Sequence, residues 1–89
     1  MEPGHLSHDR IVKRLKRASG HLTKVITMIE ADQPCTKVAQ QLHAVSRAVQ
    51  NAKQTLIQDH IEHCLDIDRV EKSSVKDVVL ELKEISKYL

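Results

Sequence analysis

Apolar residues recur along the chain at alternating steps of four and three. Ile11, Leu15, Ala18, Leu22, Val25 and Ile29 form the first run, which is the stripe of an amphipathic helix. Ser7 offers an N-cap, with Asp9 near the positive end of the helix dipole. Gly20 weakens this run without breaking it. ADQP, residues 31 to 34, stops it, because Pro34 cannot continue a helical ladder. Val38, Leu42, Val45, Val49, Ala52 and Leu56 then repeat the same spacing, and Ile57, Ile61 and Leu65 carry it on. No Gly or Pro follows Pro34. The pattern therefore predicts a second helix from Cys35 or Thr36 to Cys64 or Leu65, about 44 Å long. LDIDRVEKSS reads as a polar link. Ser73 or Ser74 can cap a third helix with Val75, Val78, Val79, Leu82, Ile85 and Leu89 on its inner face. No segment alternates as a strand does, so the expected fold is all-α: one domain over residues 1–89, built of three helices.

The lengths do not match. A third helix of about sixteen residues cannot cover a second of about thirty. Ala44, Ala48 and Ala52 make a row of small side chains along which another helix could approach closely. The chain of 89 residues has no Phe, no Trp and one Tyr, Tyr88, and a chain so short buries a modest share of its surface alone. Two cysteines supply no disulfide framework. Self-association is expected, with the long second helix pairing antiparallel to its copy as the spine of a homo-oligomer. There is no long apolar run and no signal-peptide pattern, so no membrane is expected, and the cytoplasm, where thiols stay reduced, is the expected compartment.

The net charge of +2 is unevenly spread. Arg10, Lys13, Arg14, Lys16, Arg17 and Lys24 follow one another with no acid between them, whereas acids slightly outnumber bases from Asp66 onward. A basic element in an otherwise balanced chain is the footprint of an anionic partner, set against the plainer reading of a solvated helix face. The near absence of aromatics disfavours single-stranded nucleic acid. Double-stranded DNA held through its phosphates fits better. Arg10, Lys13, Arg14, Lys16 and Arg17 are the first candidates for that contact, and Arg47 and Lys53 of the second helix come after them.

The stretch DHIEHC places His60 and Cys64 four apart, on one helical face, with His63 beside them. Taken singly, a cysteine is commonly a small buried hydrophobe and a histidine near a helix end a surface residue. Together they are two ligands at a spacing that holds one ion without bending the helix. Cys35 is the obvious third, and it opens the second helix, where backbone N–H groups attract negative charge. Within one chain it lies some 43 Å from Cys64. An antiparallel pair of second helices would bring Cys35 of one chain to His60 and Cys64 of the other, making two equal sites. Two thiolates and one imidazole suit Cu(I). Zn(II) would want a fourth ligand. Planar Ni(II) would as well, and His5 or His8 could supply it if these are more than mobile surface residues. His43 could stand behind the ligands, the alternative being a satisfied interface histidine. No carboxylate pair, nucleophile elbow or phosphate loop points to an enzyme. A metal carrier without DNA binding is the competing reading.

RLKRASGHLTKVITMIE, PCTKVAQQLHAV and DHIEHC together resemble the copper-sensitive operon repressor (CsoR) family, from about Arg14 to Leu65. The resemblance implies an all-helical dimer of dimers. Such an assembly binds operator DNA without a helix-turn-helix and lets go when its ligand binds. It carries the copper ligands over as Cys35, His60 and Cys64, and an outer glutamate over as Glu81. His21 stands where the family pattern has Gln after Gly. Nickel- and cobalt-sensing relatives (RcnR type) add an N-terminal histidine, for which His5 would be a displaced substitute, with Ni(II) or Co(II) in place of Cu(I). A formaldehyde sensor would need Pro3 at the mature terminus, and a persulfide sensor would lack His60.

Overall fold

The computed structural model describes the backbone of residues 3–66 and 74–89, and the side chains of residues 8–63, 65–66 and 74–89. Among these residues there are three helices and no strand: α1 (Pro3–Glu30), α2 (Cys35–Cys64) and α3 (Val75–Ser86). The all-α expectation is met, and α2 has the limits its periodicity demanded. Most of the polar link expected after Leu65 lies outside the described residues.

Three boundaries have local causes. α1 starts a turn earlier than Ser7, at Pro3. A proline suits the first helical position, where its missing N–H needs no partner. Ser7 is thus inside α1 and does not cap it. The helix ends as a Schellman motif. Asp32 takes a left-handed φ of 54°, its N–H bonds Ile29 O, and Gln33 N–H reaches back to Met28 O. Pro34 then serves as the N-cap of α2, its carbonyl accepting from Lys37 and Val38. At α3, Ser74 is the cap, its hydroxyl oxygen accepting from Asp77 N–H at 3.1 Å. α3 has 12 residues rather than about sixteen.

α1 and α2 form an antiparallel hairpin. Its seam has a seven-residue period on both sides: Ile11, Ala18 and Val25 from α1, and Val38, Val45 and Ala52 from α2, all buried. Val25, Val38 and Val45 form its centre, with Met28 against them. Ala52, 1% exposed, belongs to this seam, and Ala48 lines a groove between α1 and α2. Ala48 and Ala52 therefore admit α1 of the same chain, while Ala44 stays exposed. α3 packs on the C-terminal part of α2, burying Val78 and leaving Leu82 and Ile85 half-buried. Val75, Val79 and Leu89, expected on the inner face, stay 68%, 48% and 72% exposed.

The result is a slab, 57 × 27 × 14 Å across its Cα atoms. Its radius of gyration is 17.9 Å, against about 12 Å for a compact domain of this length. It exposes 7072 Å², where a compact monomer would expose about 5,300 Å². The excess lies partly on one face. Four residues after each buried seam position come Leu15, Leu22 and Ile29 on α1 and Leu42, Val49 and Leu56 on α2, all 41% to 56% exposed. Each would gain about 1 kcal/mol on losing the rest of its contact with water.

Candidate metal site and nucleic-acid interface

The two faces of the hairpin can be told apart by their offset from the seam. Positions four after a buried residue make the apolar face just described. Positions four before a buried residue are Arg14, His21, Gln41 and Ala48, and they lie on the opposite, polar face.

On the apolar face, Cys35, Leu42, Val49 and Leu56 follow at intervals of seven, and His60 stands one turn beyond Leu56. Cys35 is exposed and His60 half-buried. They sit at opposite ends of α2, and among the described residues no three potential ligands gather within the chain. Cys64 is the last residue of α2; its side chain, and that of His5, lie outside the described residues. His63 is half-buried near it, and His43 is exposed. His5 and His8, expected in a loose tail, belong to the first turns of α1, where His8 is exposed.

His60 has a neighbour that spacing could not reveal. Its Nε2 lies 3.5 Å from Glu81 Oε1 on α3, both side chains about one-third exposed. This contact links α2 to α3 at the C-terminal end of the slab. An imidazole that turns Nε2 to a carboxylate has Nδ1 left for another partner. The donor set present, an exposed thiol and an imidazole on one face with a second thiol closing the same helix, suits a soft cation.

The polar face carries the charge. Arg10, Lys13, Arg14, Lys16 and Arg17 are all exposed on α1. Between the helices runs a groove of about 690 Å³ lined by Arg14, Arg17 and His21 on one wall and by Asn51, Gln54, Thr55 and Gln58 on the other. Arg14 Nη1 donates to Thr55 Oγ1 at 3.4 Å, and the Thr55 hydroxyl donates to Asn51 O. His21 Nε2 and Gln41 Oε1 are 2.7 Å apart. The amide-rich wall of α2 and the His21–Gln41 bond were not anticipated from the sequence. His21 and Gln41 share the offset of four before the seam, whereas the wall residues carry no such signal. Arg47 is exposed on α2. Lys53 is half-buried, four after Val49, and so stands with the apolar face rather than with Arg14 and Arg17.

A family model described as metal-sensitive transcriptional repressor matches residues 7–89. The copper-sensing transcriptional repressor CsoR of Bacillus subtilis (strain 168) is 32% identical over 79 residues, covering 89% of this chain and 77% of that protein. CsoR of Mycobacterium ulcerans (strain Agy99) is 40% identical over 53 residues, 60% of this chain and 45% of that one. The copper-sensing transcriptional repressor RicR of Mycobacterium tuberculosis (strain ATCC 25618 / H37Rv) is 35% identical over 57 residues, 64% of this chain and 59% of that one. The chain thus spans about half the length of the two mycobacterial relatives. Among solved structures, the nickel-responsive transcriptional regulator InrS superposes with a TM-score of 0.78 at 31% identity, covering 90% of this chain and 89% of that one.

Proposed function

The chain belongs to the metal-sensitive transcriptional repressor family, and we propose from that premise that it is a Cu(I)-responsive repressor. In this reading it binds operator DNA when metal-free and releases it when Cu(I) is taken up between two subunits. The carrying observation is the position of Cys35 and His60 at opposite ends of one exposed apolar stripe. If two chains bury that stripe with α2 against α2, antiparallel, the axis passes near Val49 and each Cys35 arrives at the partner's end that carries His60 and Cys64. The symmetry makes two sites. Dimers of this kind would assemble further into the tetramer the family resemblance implies.

Cys35, His60 and Cys64 would hold the ion, which brings a soft positive centre to a set of two thiolates and an imidazole. The work of signalling falls to His60 and Glu81. With Nε2 toward Glu81, His60 offers Nδ1 to the metal side and fixes one tautomer. An ion held at Nδ1 would strengthen Nε2–H as a donor to Glu81, so the hold of α2 on α3 would be tighter in the loaded form. Metal uptake and the packing of α3 are then linked, and the linkage is the coupling free energy between ligand site and DNA face. Arg14 and Arg17, with Arg10, Lys13 and Lys16 around them, would contact backbone phosphates of double-stranded DNA.

Mixing tests the shared site. Cys35→Ala protein and a His60→Ala, Cys64→Ala double variant should each fail to bind Cu(I). Mixed dimers should regain one site, seen as a Cu(I)–thiolate absorption at half the wild-type amplitude. No recovery in mixed dimers of demonstrated composition overturns the shared site. A nickel reading has one observation in its favour, the likeness to InrS. It requires a fourth ligand from His5 or His8. Replacing both with Ala should leave Cu(I) binding and release intact; loss of the response would assign the metal as Ni(II) or Co(II) instead.

A further inference from the structure

His21 is unused by the metal site and sits on the DNA-facing side with a partner of its own. It is half-buried, 2.7 Å from Gln41 Oε1, and it lines the groove with Arg14 and Arg17. A carboxamide oxygen only accepts, so this bond needs the proton on Nε2 and leaves Nδ1 as the basic nitrogen of the ring. We propose that the groove between α1 and α2 seats a phosphate of the DNA backbone, and that His21 binds it as a third cation after taking up a proton there. The inference rests on the DNA-binding reading above and deepens it: it assigns a seat, its ligand chemistry and a proton to that contact.

The surroundings of His21 set the direction of the effect. α1 presents Arg14 and Arg17 in the same groove, with Lys24 one turn on. α2 presents neutral groups, Gln41, Ala48, Asn51, Gln54, Thr55 and Gln58, and Lys37 one turn before Gln41. α3 packs against the far end of α2. The lining of the groove holds two arginines and no carboxylate. A bound phosphate brings negative charge beside the ring, which favours the ring's charged form. The second proton on the ring is therefore favoured in the complex over the free protein. Histidine is the side chain whose charge changes between pH 5 and 8, so binding should tighten as pH falls through that range. The sign follows: the complex holds more protons, so acid favours it.

Gln41 supplies the positioning. By accepting from Nε2–H it holds the ring across the groove in both protonation states, since Nε2 carries its hydrogen in each. The neutral wall of α2 offers amide N–H donors to the phosphate oxygens without adding a competing carboxylate.

The test uses the full-length, metal-free protein and a mixed-sequence duplex of about 30 base pairs at about 50 mM salt, because the phosphate contribution does not depend on sequence. Affinity is measured by anisotropy at pH 8 and pH 6 for wild type and for His21→Gln, which keeps helix propensity. The gain on acidification should be about tenfold larger for wild type, one proton being worth at most about tenfold per pH unit. Equal gains in both proteins overturn the assignment of His21. No duplex binding at either pH overturns the DNA reading itself, and with it this inference. In parallel, the His21 ring resonance is titrated by NMR with the duplex and with inorganic phosphate at matched ionic strength. Its midpoint should rise with the duplex only. An equal rise with inorganic phosphate makes the groove a free-phosphate site and overturns its assignment to DNA. The wild-type titration alone decides the question should His21→Gln fail to fold.

Discussion

The two faces of the α1–α2 hairpin are built on the same seam and differ in what lies one turn away from it. One turn after the buried residues, both helices present leucine, valine and isoleucine. One turn before them, α1 presents arginine and histidine, and α2 presents glutamine and alanine. The apolar face also holds Cys35 and His60 at its ends, whereas the polar face has a groove and an excess of positive charge. Surfaces of the first kind lose free energy by meeting each other. Surfaces of the second kind repel each other and attract polyanions. A hairpin one helix thick can serve both needs because, among the described residues, α3 reaches only the C-terminal part of α2 and leaves most of either side open. The ion would be held where two chains meet and the DNA where they do not, and in the proposed mechanism α3 would connect the two.

The strongest way to break this comparison is to charge the apolar face. Val49→Glu places a carboxylate where the α2 pairing would have its axis, so each dimer gains two facing charges. The dimer should dissociate or the chain lose its fold, and Cu(I) binding should vanish although Cys35, His60 and Cys64 are intact. Sedimentation equilibrium with a copper titration reads both. An unchanged oligomer of Val49→Glu would place the interface elsewhere.

Removing charge from the other face should leave assembly alone. Arg14→Ala with Arg17→Ala should lower the salt dependence of DNA affinity by about two units of slope, one for each lost phosphate contact per bound chain. The oligomer and its copper affinity should stay as they were. If the slope is unchanged, the basic face is solvated rather than bound.

A smaller effect is expected at the link between faces. Glu81→Gln keeps the shape of the side chain and removes its charge from His60. Copper should still bind, and the factor by which copper weakens DNA binding should shrink, by part of a coupling that is typically about 1–3 kcal/mol. Full release in Glu81→Gln would remove α3 from the signal path.

The smallest effect sharpens the polar face. Gly20 lies within α1, and a Cβ built there would meet nothing within 4 Å. Lys16, Arg17 and Lys24 are its helical neighbours. Gly20→Ala should stabilise the fold by about 0.5–1 kcal/mol, read as a raised unfolding midpoint, and weaken DNA binding if a phosphate backbone makes its close approach there. A stabilised variant with undiminished DNA affinity would put the DNA farther along the helix.

Much of the fold was legible along the chain. The four-three spacing and the absence of Gly and Pro after Pro34 placed α2 between its two cysteines, because a helix with one apolar side and no breaker has no reason to stop earlier. Ser73 or Ser74 could be named as a cap because a serine hydroxyl answers a local need, the free N–H groups of the first turn, and the structure uses Ser74. The start of α1 at Pro3 was missed, since Ser7 offered an equally local answer and a helix can begin at either. The candidate ligands, too, could be named from their spacing. The nearness of His60 to Glu81 could not be measured that way, because it depends on where α3 lands along α2.

What the sequence determined by itself is which residues share a stripe. A four-three pattern contains two sevenfold rows, Ile11–Ala18–Val25 and Leu15–Leu22–Ile29 on α1, with their counterparts Val38–Val45–Ala52 and Leu42–Val49–Leu56 on α2. Periodicity treats the rows alike. Only the tertiary structure decided that the first row of each helix closes the hairpin and the second stays in solvent. The smaller side chains, Ala18 and Ala52, went inside, where they let α1 and α2 approach, and the leucines stayed outside. The same rotation of the helices turned Ala48 and Ala52 toward α1, set Arg14 against Thr55, and carried His21 to Gln41. These contacts join residues 41 and 20 positions apart in the chain. They follow from the offset and turn of two packed helices, quantities that a local pattern does not contain.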